Sequence, residues 1–144
     1  MIILKTLDEL RLMRESAQLV SKTLGMLAKE IKPGATTNHL DKLGGEFIRD
    51  HGGEPAFLGM YGFPKNLCIS PNEEVVHGIP NDKPLVEGDI LSVDCGVYMN
   101  GFYGDHAYSF EVGEVAPETT KLLKVTKESL YKGIAQCVRG KREE

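Results

Sequence analysis

The sequence has no apolar run of membrane-spanning length, no internal repeat, no low-complexity tract and no basic excess. Seventeen Lys and Arg stand against 21 Asp and Glu, a formal charge of −4, so no cationic surface invites nucleic acid or an anionic membrane. Only three cysteines occur, Cys68, Cys95 and Cys137, far apart and without a C-x-x-C pair. That spacing speaks against a disulfide framework and reads as reduced thiols in a cytosolic protein, with Cys95 and Cys137 taken as structural. The opening run, Met1 to Lys5, is too short for a signal peptide. What remains is a soluble, cytoplasmic chain of 144 residues, expected to form a single domain over 1–144 with a real core.

Lys and Arg are also missing from 84 to 120, and that gap surrounds the most informative stretch, residues 89 to 111. There, two apolar runs flank Asn100-Gly101, the strongest short-range hairpin signal, because a type I′ turn needs positive φ at both central residues. With Asn100 and Gly101 as the turn, Met99 faces Phe102, Asp94 faces Ala107 and Asp105 faces Gly96. Facing residues share a side of the sheet, so Asp94 and Asp105 project from one face as diagonal neighbours, their Cα atoms roughly 7–8 Å apart. The other face, with Leu91, Val93, Cys95, Val97, Phe102, Tyr108 and Phe110, is fit for a core.

Two carboxylates this close repel unless they share a proton, face bulk water or share a cation. Gly96 opposite Asp105 is expected to leave room between them, and a divalent ion is the natural third party. A solvated acidic face on an ordinary hairpin is the other reading, and these residues alone leave both open.

Upstream, Thr6 and Glu9 form a capping box. Leu10, Met13, Ala17, Val20, Leu24, Leu27 and Ile31 then mark the buried stripe of a long helix that Pro33-Gly34 ends. A coiled coil would give a similar stripe, but a single copy containing Gly25 is read as packing on a sheet. Thr36 or Thr37 caps a second helix with Leu40, Leu43, Phe47 and Ile48 inward. Gly44-Gly45 in its middle predicts a close backbone approach, since each glycine costs about 1 kcal/mol there relative to alanine. The Gly- and Pro-rich stretch 52–66 carries Phe57, Leu58, Met60, Tyr61 and Phe63, and so either plugs a core or lines an apolar pocket.

Strands are expected at Leu67–Ser70 and Glu74–His77, with a turn at Pro71-Asn72 between them. A third helix starts at Ala116-Pro117-Glu118, its stripe running through Leu122, Leu123, Leu130, Ile134 and Cys137. The fold class expected is α+β, an antiparallel sheet covered by long helices. His39 and His51 are read as solvated, and His106 as pointing away from the acidic pair. His77, set in an apolar strand end, reads on its own as a structural histidine bonded to a backbone carbonyl.

Four segments taken together carry a resemblance: Gly62-Phe63-Pro64-Lys65-Asn66-Leu67-Cys68-Ile69-Ser70; Asn72-Glu73-Glu74-Val75-Val76-His77-Gly78-Ile79-Pro80; Gly88-Asp89-Ile90 with Val93-Asp94; and Gly101-Phe102-Tyr103-Gly104-Asp105. In that order and spacing they resemble the first half of type I methionine aminopeptidases, from about residue 5 to the end. The resemblance implies the N-terminal half of the pita-bread fold and an enzyme that removes the initiator methionine from nascent polypeptides with a small second residue. It implies two divalent metal ions in the complete enzyme, with Co, Mn, Fe, Zn and Ni not distinguished. By motif, Asp94 would bind one ion, Asp105 would bridge both, and His77 would hydrogen-bond the substrate near the scissile peptide. Phe57, Met60, Phe63 and Cys68 would wall the methionine side chain, although Met60 stands where the family more often has an aromatic residue.

The resemblance also implies something missing. The family's remaining ligands, a histidine in a Gly-His-Gly context and two glutamates, together with a second substrate-binding histidine, match nothing after Asp105, and Lys141 to Glu144 read as an interrupted end. The chain alone is therefore expected to hold metal weakly and to have little or no activity. The alternative is a non-catalytic half-fold that pairs with a complementary half or with a copy of itself.

Overall fold

The computed structural model describes residues 4–138 and residue 140. Met1 to Ile3 of the opening run and the Lys141–Glu144 end therefore lie outside the described residues.

The chain runs through helix α1 (Leu7–Leu27), helix α2 (Thr37–Asp50), a two-residue strand β1 (Glu54–Pro55), a 3₁₀ turn (Met60–Gly62), strands β2 (Cys68–Pro71), β3 (Ile90–Met99) and β4 (Phe102–Glu111), and helix α3 (Pro117–Ile134). All strand pairs are antiparallel, and β3 is the spine. Along one side it pairs with β4 over its full length; along the other it pairs first with β2 and then, near its C-terminal end, with β1. The β3–β4 register is the one the Asn-Gly turn dictates, with Met99 facing Phe102, Asp94 facing Ala107 and Gly96 facing Asp105. Asn100 and Gly101 both have positive φ, 55° and 82°, as a type I′ turn requires. Among the described residues β4 pairs with β3 alone.

Helix α1 starts as its sequence says: the Thr6 hydroxyl accepts from the Glu9 amide at 3.2 Å, and the Glu9 carboxylate accepts from the Thr6 amide at 2.7 Å. Its buried face is not the one the apolar stripe marks. Val20, Leu24 and Leu27 are buried as expected, but Leu10 and Ala17 are exposed, and Ser16, Leu19 and Thr23 take the inward positions. Hydrogen bonding explains the shift, since a small hydroxyl whose donor is satisfied can be buried at little cost. Ser16 Oγ donates to the Met99 carbonyl at 2.9 Å, and Thr23 Oγ1 to the Leu19 carbonyl at 2.9 Å. The hairpin presses directly on this stretch: a Cβ built on Gly104 would lie 2.6 Å from the Ser16 carbonyl carbon and 2.7 Å from the Ala17 nitrogen.

Helix α2 is capped by the Thr36 hydroxyl, which accepts from the His39 amide at 3.2 Å. The glycine pair does what its position predicts. A Cβ on Gly44 would meet Leu67 Cδ1 at 2.6 Å and one on Gly45 the Asn66 side chain at 2.6 Å, so the chain entering β2 crosses the helix there. The core lies between the two helices and the sheet; Leu27, Leu40, Ile48, Leu67, Leu91, Val93 and Val97 are fully buried, each contributing about 1.5–3 kcal/mol.

Two expectations fail. Glu74–His77 is not a strand: the Glu74 amide closes a turn on the Pro71 carbonyl, His77 has φ 57°, and the chain returns to β2 only at Gly78. There the Ser70 hydroxyl accepts from the Gly78 amide at 2.9 Å and the Ile69 amide donates to the Gly78 carbonyl at 3.0 Å. Val75 is 82% exposed. Helix α3 forms where expected, but no described residue of it is buried. Two polar contacts tie it to β4, Lys127 Nζ to the Tyr108 hydroxyl at 3.2 Å and Thr120 Oγ1 to the Glu111 carboxylate at 2.7 Å. Leu122, Leu130 and Ile134 face solvent. No helix among the described residues is long and apolar enough to cross a membrane.

Candidate metal and peptide site

The β3–β4 ribbon shows its acidic face on the side away from α1. On that face the register sets Cys68 of β2, Asp94 of β3 and Ala107 of β4 in one row, and Gly96 beside Asp105 in the next. Gly96 does not leave open room between the acids, as its size led us to expect. Phe57 fills the space, its Cε1 lying 2.6 Å from where a Cβ would be. The missing side chain brings an aromatic wall up to the carboxylates.

That wall belongs to a cavity of about 510 Å³ whose lining includes Phe57, Met60, Phe63, Cys68, His77, Asp94 and Asp105. All seven residues singled out from the sequence thus face one space. The stretch 52–66 lines a pocket and does not plug a core. Phe57 and Phe63 are half-buried, Met60 is more exposed, and Cys68 forms the buried floor. His77 is exposed and stands in the cavity, not tucked against a carbonyl in a strand. His106 shares the opposite face with Cys95, and His39 is exposed. His51, also exposed, is held by the Phe47 carbonyl at 2.8 Å and stacks on the Phe47 ring.

Asp94 is electrostatically unusual. Burial first, then the charge of Asp105 and the contact between the two carboxyls, push it up to about 6, while the nearby His77 pulls the other way. Its Oδ1 is buried without a hydrogen-bond partner among the described residues, a condition that costs free energy unless a proton or cation relieves it. Burial, with Asp94 next, pushes the Cys68 thiol up to about 11, so it is a neutral wall element. An orphaned carboxylate oxygen beside a second acid fits a hard or borderline divalent cation. No group of three metal-binding side chains comes together among the described residues, so on this face the two acids stand without a third donor of that kind.

Two residues, Asp41 and Ile79, carry no signal that the sequence analysis used. Asp41, buried on α2, accepts from the amides of Asn66 and Leu67 at 2.8 and 2.9 Å and from Asn66 Nδ2 at 2.8 Å. It fixes the chain just before Cys68. Its signal was available, because Thr37, Asp41, Gly44, Gly45 and Ile48 share the inward face of α2. Ile79 also lines the cavity, and nothing in its sequence context marks it; Tyr61 lines it too, as the apolar side chains of 52–66 led one to expect of that stretch, but with no role of its own.

Comparisons with known proteins bear on the family and the fold. The model of metallopeptidase family M24 matches residues 11–142. A methionine aminopeptidase of Clostridium acetobutylicum is 50% identical over 143 residues, which cover 99% of this chain and 57% of that protein. The crystal structure of methionine aminopeptidase from Rickettsia prowazekii superposes with a TM-score of 0.91 at 42% identity, covering 93% of this chain and 54% of that one. Prolidase from Pyrococcus furiosus, at 18% identity, shares the fold with a TM-score of 0.77. The chain spans about half the length of the curated relatives it matches. Matched along nearly its whole length, with the paired carboxylates on the ribbon inside the matched region, the chain belongs to metallopeptidase family M24.

Proposed function

We propose that this chain carries the methionine pocket and two of the metal-binding carboxylates of a cytoplasmic methionine aminopeptidase that acts on nascent polypeptide N-termini with a small second residue. The observation that supports it best is the continuity of one cavity, from an apolar, polarizable wall to the unpartnered oxygen of Asp94. An unbranched thioether suits a wall of Phe57, Met60, Phe63 and Cys68, where rings and sulfurs surround it. Asp94 and Asp105 are the residues that would hold the metal, Asp105 between two ions. Two clamped divalent ions, when bound, polarise the scissile carbonyl and make a water nucleophilic at neutral pH. His77, in the same cavity, donates a hydrogen bond to the substrate at the peptide bond and steadies charge that develops there. Phe57, packed over Gly96, excludes water on the side of the acids.

Two carboxylates are too few to hold a metal pair tightly, so the complete activity requires ligands from a complementary half. The test is to join the chain to such a half and assay a short peptide beginning Met-Ala. Turnover that Asp94→Ala or Asp105→Ala abolishes supports the assignment; full activity in either variant removes it. Robust turnover by the 144-residue chain alone would contradict the need for a second half.

The exposed apolar side chains of α3 and the second side of β4, unpaired among the described residues, favour one further reading, a non-catalytic half-fold that pairs with a copy of itself or with a complementary half. Sedimentation showing a well-folded monomer would count against it.

A further inference from the structure

Tyr61 is a lining residue to which the methionine reading assigns no task. Its side chain is wholly exposed at 105%, yet it lines the cavity of His77, Asp94 and Asp105. Its backbone lies in the left-handed region, φ 49° and ψ 27°, which bulky side chains seldom occupy. The turn around it is fastened on both sides: the Gly59 amide donates to the Phe63 carbonyl at 2.9 Å, and the Phe63 amide to the Met60 carbonyl at 2.9 Å. A glycine at 61 would take this conformation without strain, so the ring is held out by a backbone that does not favour it. Ile79, two residues after His77 and 53% exposed, adds an aliphatic surface to the same cavity.

The position of Tyr61 in the chain says what such a ring can touch. In an extended peptide the side chains of the first and third residues point the same way, about 7 Å apart. A methionine seated against Met60 and Phe63, with its peptide bond at His77 and the two acids, therefore turns its third residue toward the same wall but farther out. Tyr61, between Met60 and Phe63 in sequence, fully in solvent and lining the same cavity, is the aromatic ring on the outer part of that wall. The second side chain points away from it.

We propose that Tyr61, aided by Ile79, contacts the third residue of the substrate and selects an aromatic or large apolar side chain there. This rests on the methionyl-peptide reading of the cavity. The experiment is an NMR titration of the 144-residue chain, in the presence of a chelator, with Met-Ala-Phe, Met-Ala-Gly and Ala-Ala-Phe carrying ¹³C-methyl labels. Wild type is expected to bind Met-Ala-Phe about three- to tenfold more tightly than Met-Ala-Gly, the range of one aromatic contact. Tyr61→Gly, which also relieves the strained backbone, should erase that preference by weakening the Phe peptide alone, and Tyr61→Phe should keep it. Equal affinities of wild type for the two methionyl peptides, or an equal loss for both in Tyr61→Gly, overturns the proposal and leaves the methionine pocket standing. Failure of wild type to bind Met-Ala-Phe, or to prefer it over Ala-Ala-Phe, brings down the pocket reading and this one with it.

Discussion

Asp105 stands diagonally across the ribbon from Asp94, facing Gly96 while Asp94 faces Ala107, and its charge ranks second only to burial in holding the Asp94 carboxyl near 6. Unfolded, that carboxyl returns to about 4. The folded chain therefore binds the proton more tightly, and its stability falls as pH rises from about 4 to 6, with the whole penalty present above that window. Asp94→Asn should stabilise the metal-free chain at pH 7.5 by about 1 kcal/mol, a figure reduced because solvent screens a half-buried group. At pH 3.5 the gain should vanish. Thermal unfolding with chelator at both pH values reads this directly; an Asn variant no more stable than wild type at pH 7.5 would deny the repulsion.

A divalent cation should relieve the same repulsion. Added Mn²⁺ is expected to raise the melting temperature of wild type at pH 7.5 and to lose its effect as the pH drops below 6, where the proton competes. Neither Asp94→Ala nor Asp105→Ala should respond. A full Mn²⁺ response in both variants would place the cation elsewhere.

Gly104 and Gly25 should behave oppositely when changed to alanine. The methyl group of Gly104→Ala would press into the backbone of Ser16 and Ala17, which cannot swing aside as a side chain can, and the expected loss is about 3 kcal/mol. Around Gly25 nothing lies within 4 Å, so Gly25→Ala should gain about 0.5–1 kcal/mol from helix propensity. Urea midpoints of the two variants, moving in opposite directions, check the packing of α1 on the ribbon.

The three thiols should separate under alkylation of the native chain at pH 8. Cys137 is exposed and should be modified first. Burial pushes Cys68 up to about 11 and Cys95 up to about 12, leaving little thiolate to react. Mass spectrometry of a time course would show it, and Cys68 modified as fast as Cys137 would mean that the pocket floor is open.

The features legible in the sequence were those governed by local rules. The Asn-Gly turn fixed every facing pair of the hairpin because side-chain alternation leaves no freedom once a two-residue turn is set. The capping box at Thr6 and the close approach at Gly44-Gly45 were likewise written in a few adjacent residues. What failed depended on partners far away. The buried face of α1 rotated because Ser16 and Thr23 found carbonyl acceptors, one of them on the hairpin. Val75-Val76 looked like a strand until His77 turned the chain and Ser70 captured Gly78.

Helix α3 forms where its pattern places it, but none of its described residues is buried, because an apolar stripe marks a face without supplying the surface that covers it. At the site, the acids and the wall followed from motif and register together. Asp41 did not, since it acts through the backbone amides of Asn66 and Leu67, distant in sequence; Tyr61 belonged to the expected apolar lining, but its left-handed turn is one that sequence does not mark for a tyrosine.

Nothing longer than a two-residue turn separates the strands that carry Asp94 and Asp105, so the acids meet without any large loop closing beforehand. Hairpins of this kind form in about 1–10 μs, whereas Cys68 and Phe57 reach their places only after much longer stretches of chain have folded back. Short loop closure therefore predicts that the acids are brought together ahead of the lining. A cation present from the first moment of refolding meets its anionic partners before there is any wall to enclose it, and its presence then should accelerate the collapse that follows.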